Sequence, residues 1–213
     1  MDKKEIIAIT MANMQSIYKD ISKFIRIVEE GMENHGFKAL GDRACTWESS
    51  SSYNYPNFWL YKYFARVYMN VSNLKRAVGF SLHLGGYKDI DLRKLMKYSL
   101  SLPFINVSVL EQKEEFKTVS KQENRMEIYN WLWGAGWWEG GPEVKKTIKN
   151  GLVKEIFKDG ANISFFVDFL YLTKEELIEN LVVDPMLKMF AGNEDWVIKN
   201  KLPVWPITTD IGE

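Results

Sequence analysis

Apolar and polar residues alternate with a period of two along residues 58–71. The apolar face carries Trp59, Tyr61, Tyr63, Ala65, Val67, Met69 and Val71. The other face is marked by Lys62, Arg66 and Asn70. Such alternation is typical of a strand with one buried and one solvated face. It predicts one long strand over 58–71 in an antiparallel sheet, with Lys62 and Arg66 less buried than their apolar neighbours.

Four more segments have strand character. Residues 43–49, 76–84 and 104–111 alternate in the same way, and residues 161–172, which are almost all apolar, are typical of a central strand. The short polar run from Ser72 to Lys75 predicts a hairpin connection between the second and third strands. These segments predict a sheet of about five strands.

Residues 3–35 show the periodicity of a long amphipathic helix. Its apolar residues recur at steps of three and four: Ile6, Ile9, Met14, Ile17, Ile21, Phe24, Ile25, Val28 and Met32. Asp2 and Glu5 have the spacing of a capping box, and Gly36 marks the end of the helix. We expect this helix to pack across one face of the sheet.

Shorter helices are predicted elsewhere. Their ranges are 91–100, from Ser120 to about 134, 142–158, a segment opened by Thr173 and Glu176, and a last one from Asp184 to near Gly192. Pro203 and Pro206 predict an extended arm over 202–213. The economical interpretation is a single α+β domain over residues 1–213.

Composition and charge narrow the function classes. The 28 basic and 28 acidic side chains cancel, which argues against binding to duplex nucleic acid. Cys45 is the single cysteine in the sequence and fits a reducing compartment. No apolar run approaches the ~18 residues of a membrane span. The sequence predicts a cytoplasmic protein with no membrane span.

The chain is rich in tryptophan, and four of its eight tryptophans fall within residues 131–138. Trp137 and Trp138 lie between glycine pairs, on backbone that is free to bend. Aromatic residues that continue the apolar stripe of a helix usually pack in a core. Exposed on a loop, they would recognise a sugar, a base or an apolar residue of a protein partner.

A short acidic motif suggests a second function. Glu111 and Lys113 close the fourth strand in the acidic-x-Lys order of restriction-endonuclease-like nucleases, and Asp91 is the candidate second carboxylate. In that chemistry the carboxylates hold Mg²⁺, which lowers the pKa of the attacking water. Without the nuclease activity, no cofactor is expected.

Polar side chains on the sheet suggest a third possible function. Lys62, Arg66 and Tyr68 share one strand face. The third strand could bring His83 or Arg76 across from them, and Glu48 could reach the same face from the first strand. They form either a pocket for a small anionic molecule or ordinary cross-strand pairs. Asp168, inside an apolar strand, would need a partner such as an arginine.

No zinc-ligand spacing, phosphate-binding loop or nucleophile elbow occurs in the sequence. The leading prediction is therefore a non-catalytic binding or regulatory protein. It would recognise a protein partner or a small ligand through its aromatic-rich sheet face and the Trp137–Trp138 loop. The alternatives are the Mg²⁺-dependent nuclease and a small-molecule enzyme on the sheet face. Assembly into a homo-oligomer remains compatible with each.

Overall fold

One long helix and one antiparallel sheet organise the chain, as the hydrophobic patterns predict. The structure is a computed structural model that describes residues 2–40, 45–46, 63–84, 103–116, 145–149, 151–157, 160–194 and 196. Helix α1 runs from Lys3 to Asn34, and Gly36 follows it with a φ of 78°. Asp2 is the N-cap residue, but its side chain makes no capping hydrogen bond within the described residues. The predicted capping box is therefore not formed.

Eight strands make up the sheet, and six of them are five residues or longer. The strands are β1 (Lys38–Ala39), β2 (Cys45–Thr46), β3 (Tyr63–Met69), β4 (Arg76–His83), β5 (Phe104–Gln112), β6 (Lys145–Lys149), β7 (Leu152–Phe157) and β8 (Gly160–Asp168). Their order is β1-β3-β4-β5-β8-β7-β6, with β2 also paired to β3, and every pair is antiparallel. The α+β class is confirmed, with six main strands instead of about five.

Two three-stranded meanders build this sheet. Strands β3, β4 and β5 form one, and β6, β7 and β8 form the other. They meet where β5 pairs with β8, with Ser108 opposite Ser164 near the middle. The hairpin connection at residues 72–75 is confirmed: the side chain of Asn73 accepts a hydrogen bond from the Lys75 N–H at 3.1 Å.

The helix predicted over 142–158 is wrong, because the structure places β6 and β7 there. Lys149 pairs with Leu152, so the two residues between them in sequence are Asn150 and Gly151. Gly151 has a φ of 82°. Asn-Gly between two strands is a strong signal for a tight hairpin turn, since its residues tolerate positive φ. This turn chemistry outweighs the four-residue apolar spacing that suggested a helix.

The C-terminal helical region is contiguous. A 3₁₀ turn covers Phe169–Tyr171, and α2 (Glu175–Ile178) continues through a π-helical turn (Glu179–Val183) into α3 (Asp184–Phe190). The predicted fourth and fifth helices are therefore neighbours without a break, and Lys174, not Thr173, is the N-cap. Asp168 accepts a hydrogen bond from the Leu170 N–H at 2.8 Å and so caps the 3₁₀ turn.

The main core lies between these helices and one face of the sheet. That face contributes Val78, Phe80, Leu82, Ile105, Val107, Val109, Ile163, Phe165 and Val167. Phe24 of α1 packs edge-on against Phe80 with ring centroids 4.9 Å apart. Gly31 lets α1 approach the π-helical turn, since an added Cβ would lie 3.1 Å from the methyl groups of Val183.

Both faces of β3 are buried, which corrects the expectation of one wet face. Ala65 and Val67 are 0% and 1% exposed, but Arg66 on the other face is only 5% exposed. Val71 lies in the turn after the strand and is 82% exposed. The strand is also shorter than predicted at this end, because the chain turns after Met69.

Several predicted elements lie outside the described residues. They are residues 58–62 of the long strand, the helices at 91–100 and 120–134, and the arm at 202–213. Among the described helices, none is both long and apolar enough to cross a membrane.

Candidate functional site

Arg66 lies on the sheet face that α1 covers, and its charge is paired there. Its Nε donates to Glu29 Oε1 at 3.0 Å, and its Nη2 bonds to the same oxygen. A buried guanidinium is costly without such a partner, so the pair fixes β3 against α1. Tyr68 is fully buried on the same face. His83 is on the opposite face, so the sheet does not bring it to Arg66.

Glu111 is also held by an arginine. Arg76 donates from Nε and Nη2 to Glu111 Oε2, at 3.1 Å and 2.7 Å. Its Nη1 donates to the Phe190 carbonyl at 2.8 Å, so the arginine joins β4 and β5 to the end of α3. Lys113 is exposed just beyond β5, and Asp91 lies outside the described residues.

This geometry bears on the metal chemistry that Glu111 suggested. Within the ranges that the structure describes, no three His, Cys, Asp or Glu side chains come together as metal ligands. Oε2 of Glu111 instead accepts two of the three hydrogen bonds that Arg76 donates, and both are charge-assisted. Its observed role is to connect elements of the fold.

The sheet face opposite the helices carries buried polar side chains at its centre. These side chains are 0–7% exposed: Ser81, His83, Asn106, Ser108, Glu155, Asn162 and Ser164. Neighbouring members bond to each other. Ser108 Oγ donates to Asn106 Oδ1 at 3.3 Å, and Asn162 Nδ2 donates to Glu155 Oε2 at 3.3 Å. The sequence analysis missed this cluster, because its members are scattered singly along four strands.

His83 is the one member whose chemistry could suggest catalysis. Its Nε2 lies 3.0 Å from Ser81 Oγ, and its ring stacks on Phe104 with centroids 4.6 Å apart. Burial lowers the pKa of His83 to about 3. A base with so low a pKa has little tendency to take a proton from a serine hydroxyl. The pair is suited to a structural hydrogen bond and poorly suited to nucleophilic catalysis.

Ser164 occupies the middle of the same face. Its Oγ is buried and has no hydrogen-bond partner in the described part of the chain. Leaving a buried hydroxyl unpaired costs about 1–3 kcal/mol. Ser164 is therefore a buried group whose hydroxyl the described residues do not satisfy.

The first half of α1 exposes several large apolar side chains. Ile6, Ile7, Ile9, Met11 and Ile17 are 46%, 54%, 45%, 51% and 46% exposed. Residues 6–18 contain no charged side chain. From Ile21 onward, the apolar side of the same helix is buried against the body. We call residues Lys3–Tyr18 the projecting half of α1.

The two halves of the helix present the same face. Ile9 and Ile27 are eighteen positions apart, which is about five helical turns. Ile27 is 3% exposed, whereas Ile9 is 45% exposed. The helix face that packs in the core at Ile27 therefore continues beyond the core to Ile9. This corrects the expectation that Ile6, Ile9 and Ile17 belong to the core.

A groove lies where the projecting half meets the sheet. Its volume is about 300 Å³, and its apolar lining comes from Tyr18, Ile21, Ile25 and Phe64. Tyr18 packs edge-on against Phe64 of β3, with ring centroids 6.2 Å apart. The exposed apolar surface of α1 thus runs into an apolar recess of the body.

One sequence signal could have identified this surface. An exposed helix is normally charged on its solvent side, whereas residues 6–18 are uncharged on every side. The other predicted binding residues, Trp137, Trp138, Lys62 and Glu48, lie outside the described residues. No protein-family model, curated protein or solved structure matches this chain.

Proposed function

We propose that this chain is a non-catalytic interaction protein that binds an apolar surface of a protein chain through the projecting half of α1. The observation that carries the proposal is the exposure of five large apolar side chains along an uncharged helical segment. Exposed large apolar side chains that lie together on one element mark an interaction site.

Burial of these apolar side chains would contribute free energy to binding. Fully burying an Ile or Met side chain contributes about 1.5–3 kcal/mol, so covering the exposed half of each contributes roughly 1 kcal/mol. Five such side chains supply on the order of 5 kcal/mol before the entropic cost of association. This favours a reversible, regulated contact over a permanent one.

The polar clusters support a binding role over a catalytic one. Glu111 is engaged by Arg76, and His83 is buried with a pKa lowered to about 3. His83 is inaccessible, and its low pKa does not suit acid–base catalysis. The single cysteine, Cys45, supports placing this binding protein in a reducing, cytoplasmic compartment.

Photo-crosslinking in the cells that produce the protein tests this function. A photoreactive residue replaces Met11 in one variant and Ala12 in the control. Ala12 lies about 100° around the helix from Met11, on the side that carries none of the five apolar side chains. Both positions are exposed in the isolated chain. We expect the position 11 variant to give a discrete protein adduct, identified by mass spectrometry, and the position 12 variant to give little.

Two results would contradict the proposal. Equal adduct formation at both positions would indicate random collision instead of a defined face. Crosslinks from position 11 only to other segments of the same molecule would show that the chain covers this surface itself.

A further inference from the structure

The apolar residues of α1 form an unbroken coiled-coil seam. Steps of four and three positions alternate along it: Ile7, Met11, Met14, Tyr18, Ile21, Ile25, Val28 and Met32. This is the spacing of the a and d positions of a heptad repeat. The last four residues face the body, where Ile21, Val28 and Met32 are buried. The first four lie on the projecting half, and Ile7 and Met11 are about half exposed.

We propose that the projecting half of α1 pairs in antiparallel orientation with the same segment of a second copy of this chain. This inference rests on the proposed function and names its partner. In an antiparallel pair, a positions face d positions of the other helix. Placing Met11 opposite Met14 of the second copy also places Ile7 opposite Tyr18, and the two-fold axis repeats both contacts. The seam is therefore complementary to itself.

The flanking positions permit this approach. Ala8, Thr10, Gln15 and Ile17 border the seam, and none of them carries a charge. Two copies therefore meet without like-charge repulsion, and Ala8 and Thr10 are small enough for close helix contact. A membrane-surface helix would instead carry Lys or Arg on its polar side, which residues 6–18 lack.

The groove beside α1 favours the antiparallel arrangement. Tyr18, Ile21 and Phe64 line it at the base of the projecting half. The antiparallel register brings Ile7 of the second copy to Tyr18, at this groove. It also holds the two folded bodies at opposite ends of the helix pair, whereas a parallel pair would force them side by side. Ile6 and Ile9 remain outside the seam, and Ile9 lies on the same side of the helix as Ser16, away from the seam.

The contact is short, which sets the expected affinity. Residues 7–18 span about 18 Å of helix. Paired helices of this length bury an area near the low end for specific interfaces, about 1,000 Å² in total. We therefore expect a weak, concentration-dependent dimer, not a permanent one.

Sedimentation equilibrium over a wide concentration range tests the pairing. The Met11→Lys variant puts a charge into the seam, and Ser16→Lys puts the same charge on the opposite, exposed side of the helix. We expect Met11→Lys to weaken the dimer by about tenfold or more, a change of ~1.4 kcal/mol. The Ser16→Lys variant should stay within about twofold of the original chain, within the usual scatter of surface changes.

Disulfide trapping tests the orientation. In a Cys45→Ser background, Ile7→Cys and Tyr18→Cys are introduced into separate chains and mixed under mild oxidation. An antiparallel pair brings these positions together, so a mixed disulfide should form, whereas Ile7→Cys alone should not crosslink. A disulfide between two Ile7→Cys chains would overturn the antiparallel arrangement, because bridged cysteines need Cα atoms within ~7 Å.

The outcomes separate this inference from the proposed function. A chain that stays monomeric at all concentrations, while photo-crosslinking at position 11 captures a different protein, overturns the self-pairing alone. Equal dimerisation of the Met11→Lys and Ser16→Lys variants also overturns it. A monomer in which position 11 contacts only its own chain overturns both.

Discussion

Ile9→Ala and Ile27→Ala form a matched pair of substitutions on one face of α1. The two isoleucines lie about five helical turns apart, so they share the same helix face. They differ in burial, because Ile27 is 3% exposed and Ile9 is 45% exposed. Each variant changes the same side chain to the same residue in the same helix. The difference between the two therefore reports whether the surrounding chain covers that part of the face.

The expected magnitudes follow from burial. Removing a core isoleucine loses its transfer free energy and leaves a cavity, which together cost about 2–5 kcal/mol. Ile27→Ala should lower the free energy of unfolding by that amount. Ile9 makes fewer contacts and leaves no enclosed cavity. Alanine also has a higher helix propensity than isoleucine, which offsets part of the loss. Ile9→Ala should therefore change the free energy of unfolding by at most about 0.5 kcal/mol.

Urea denaturation followed by tryptophan fluorescence and circular dichroism measures both values. The protein is kept dilute, so that association through α1 does not contribute, and equal m-values are required for the comparison. A loss above about 1.5 kcal/mol for Ile9→Ala would contradict the exposure of Ile9, because substitutions on a protein surface rarely cost that much. A loss below about 0.5 kcal/mol for Ile27→Ala would equally refute the placement of α1 against the sheet.

Four further predictions concern the remaining residues. Burial lowers the pKa of His83 from 6.5 to about 3, so below pH 6.5 the unfolded chain binds a proton that the folded chain excludes. Stability should consequently fall by up to ~1.4 kcal/mol per pH unit between about pH 6 and pH 3, and urea titrations of His83→Gln should lack that component. Ser164→Ala should leave the free energy of unfolding unchanged or raise it by about 1 kcal/mol, because it removes a buried hydroxyl that has no partner among the described residues; a loss above that size would mean that the hydroxyl has a partner. The purified protein should show no Mg²⁺- or Mn²⁺-dependent nuclease activity, and cleavage that disappears in Glu111→Ala would contradict this. Trp137→Ala should lower the free energy of unfolding by about 3–5 kcal/mol as a core substitution does, whereas Trp138→Ala should leave the thermal midpoint unchanged and weaken a partner instead; large losses in both would exclude that loop as a binding surface.

The elements with strong periodicity were predictable from the sequence. Helix α1 agrees with its predicted range within one residue, and Gly36 marks its end as expected. The second, third and fourth predicted strands all contain an observed strand of seven to nine residues. Local periodicity sets these elements because each must bury an apolar side within the fold.

The segment 142–158 shows where periodicity misleads. Its apolar residues recur every four positions, which also suits alternate positions in two short strands. The deciding information was the Asn150-Gly151 pair, whose turn chemistry makes a hairpin. Gly151 is the position in this segment where the backbone needs a positive φ, which suits a turn better than the interior of a helix.

The candidate site was less predictable, because its contacts are not local. The partner of Arg66 is Glu29, on another element, and Glu111 is held by Arg76 across the sheet. The sequence identifies the charged residues, but it does not give the packing and strand register that bring them together.

The exposure of the projecting half of α1 also depends on contacts that are not local. A helix of 32 residues is about 48 Å long, and strands of up to nine residues are about 30 Å. Whether part of the helix extends beyond the sheet depends on where the helix lies along the strands, and the sequence does not show this.

Methionine oxidation footprinting of the native protein tests the central claim without any substitution. Met11 on the projecting half is 51% exposed, whereas Met32 near the end of the same helix is 0% exposed. Brief peroxide treatment followed by mass spectrometry compares their oxidation rates in dilute and in concentrated protein. We expect Met11 to be oxidised rapidly in dilute protein and to become protected as the concentration rises, while Met32 stays protected throughout. If Met11 is as slow as Met32 at the lowest concentration, the chain itself covers this surface and the claim is contradicted.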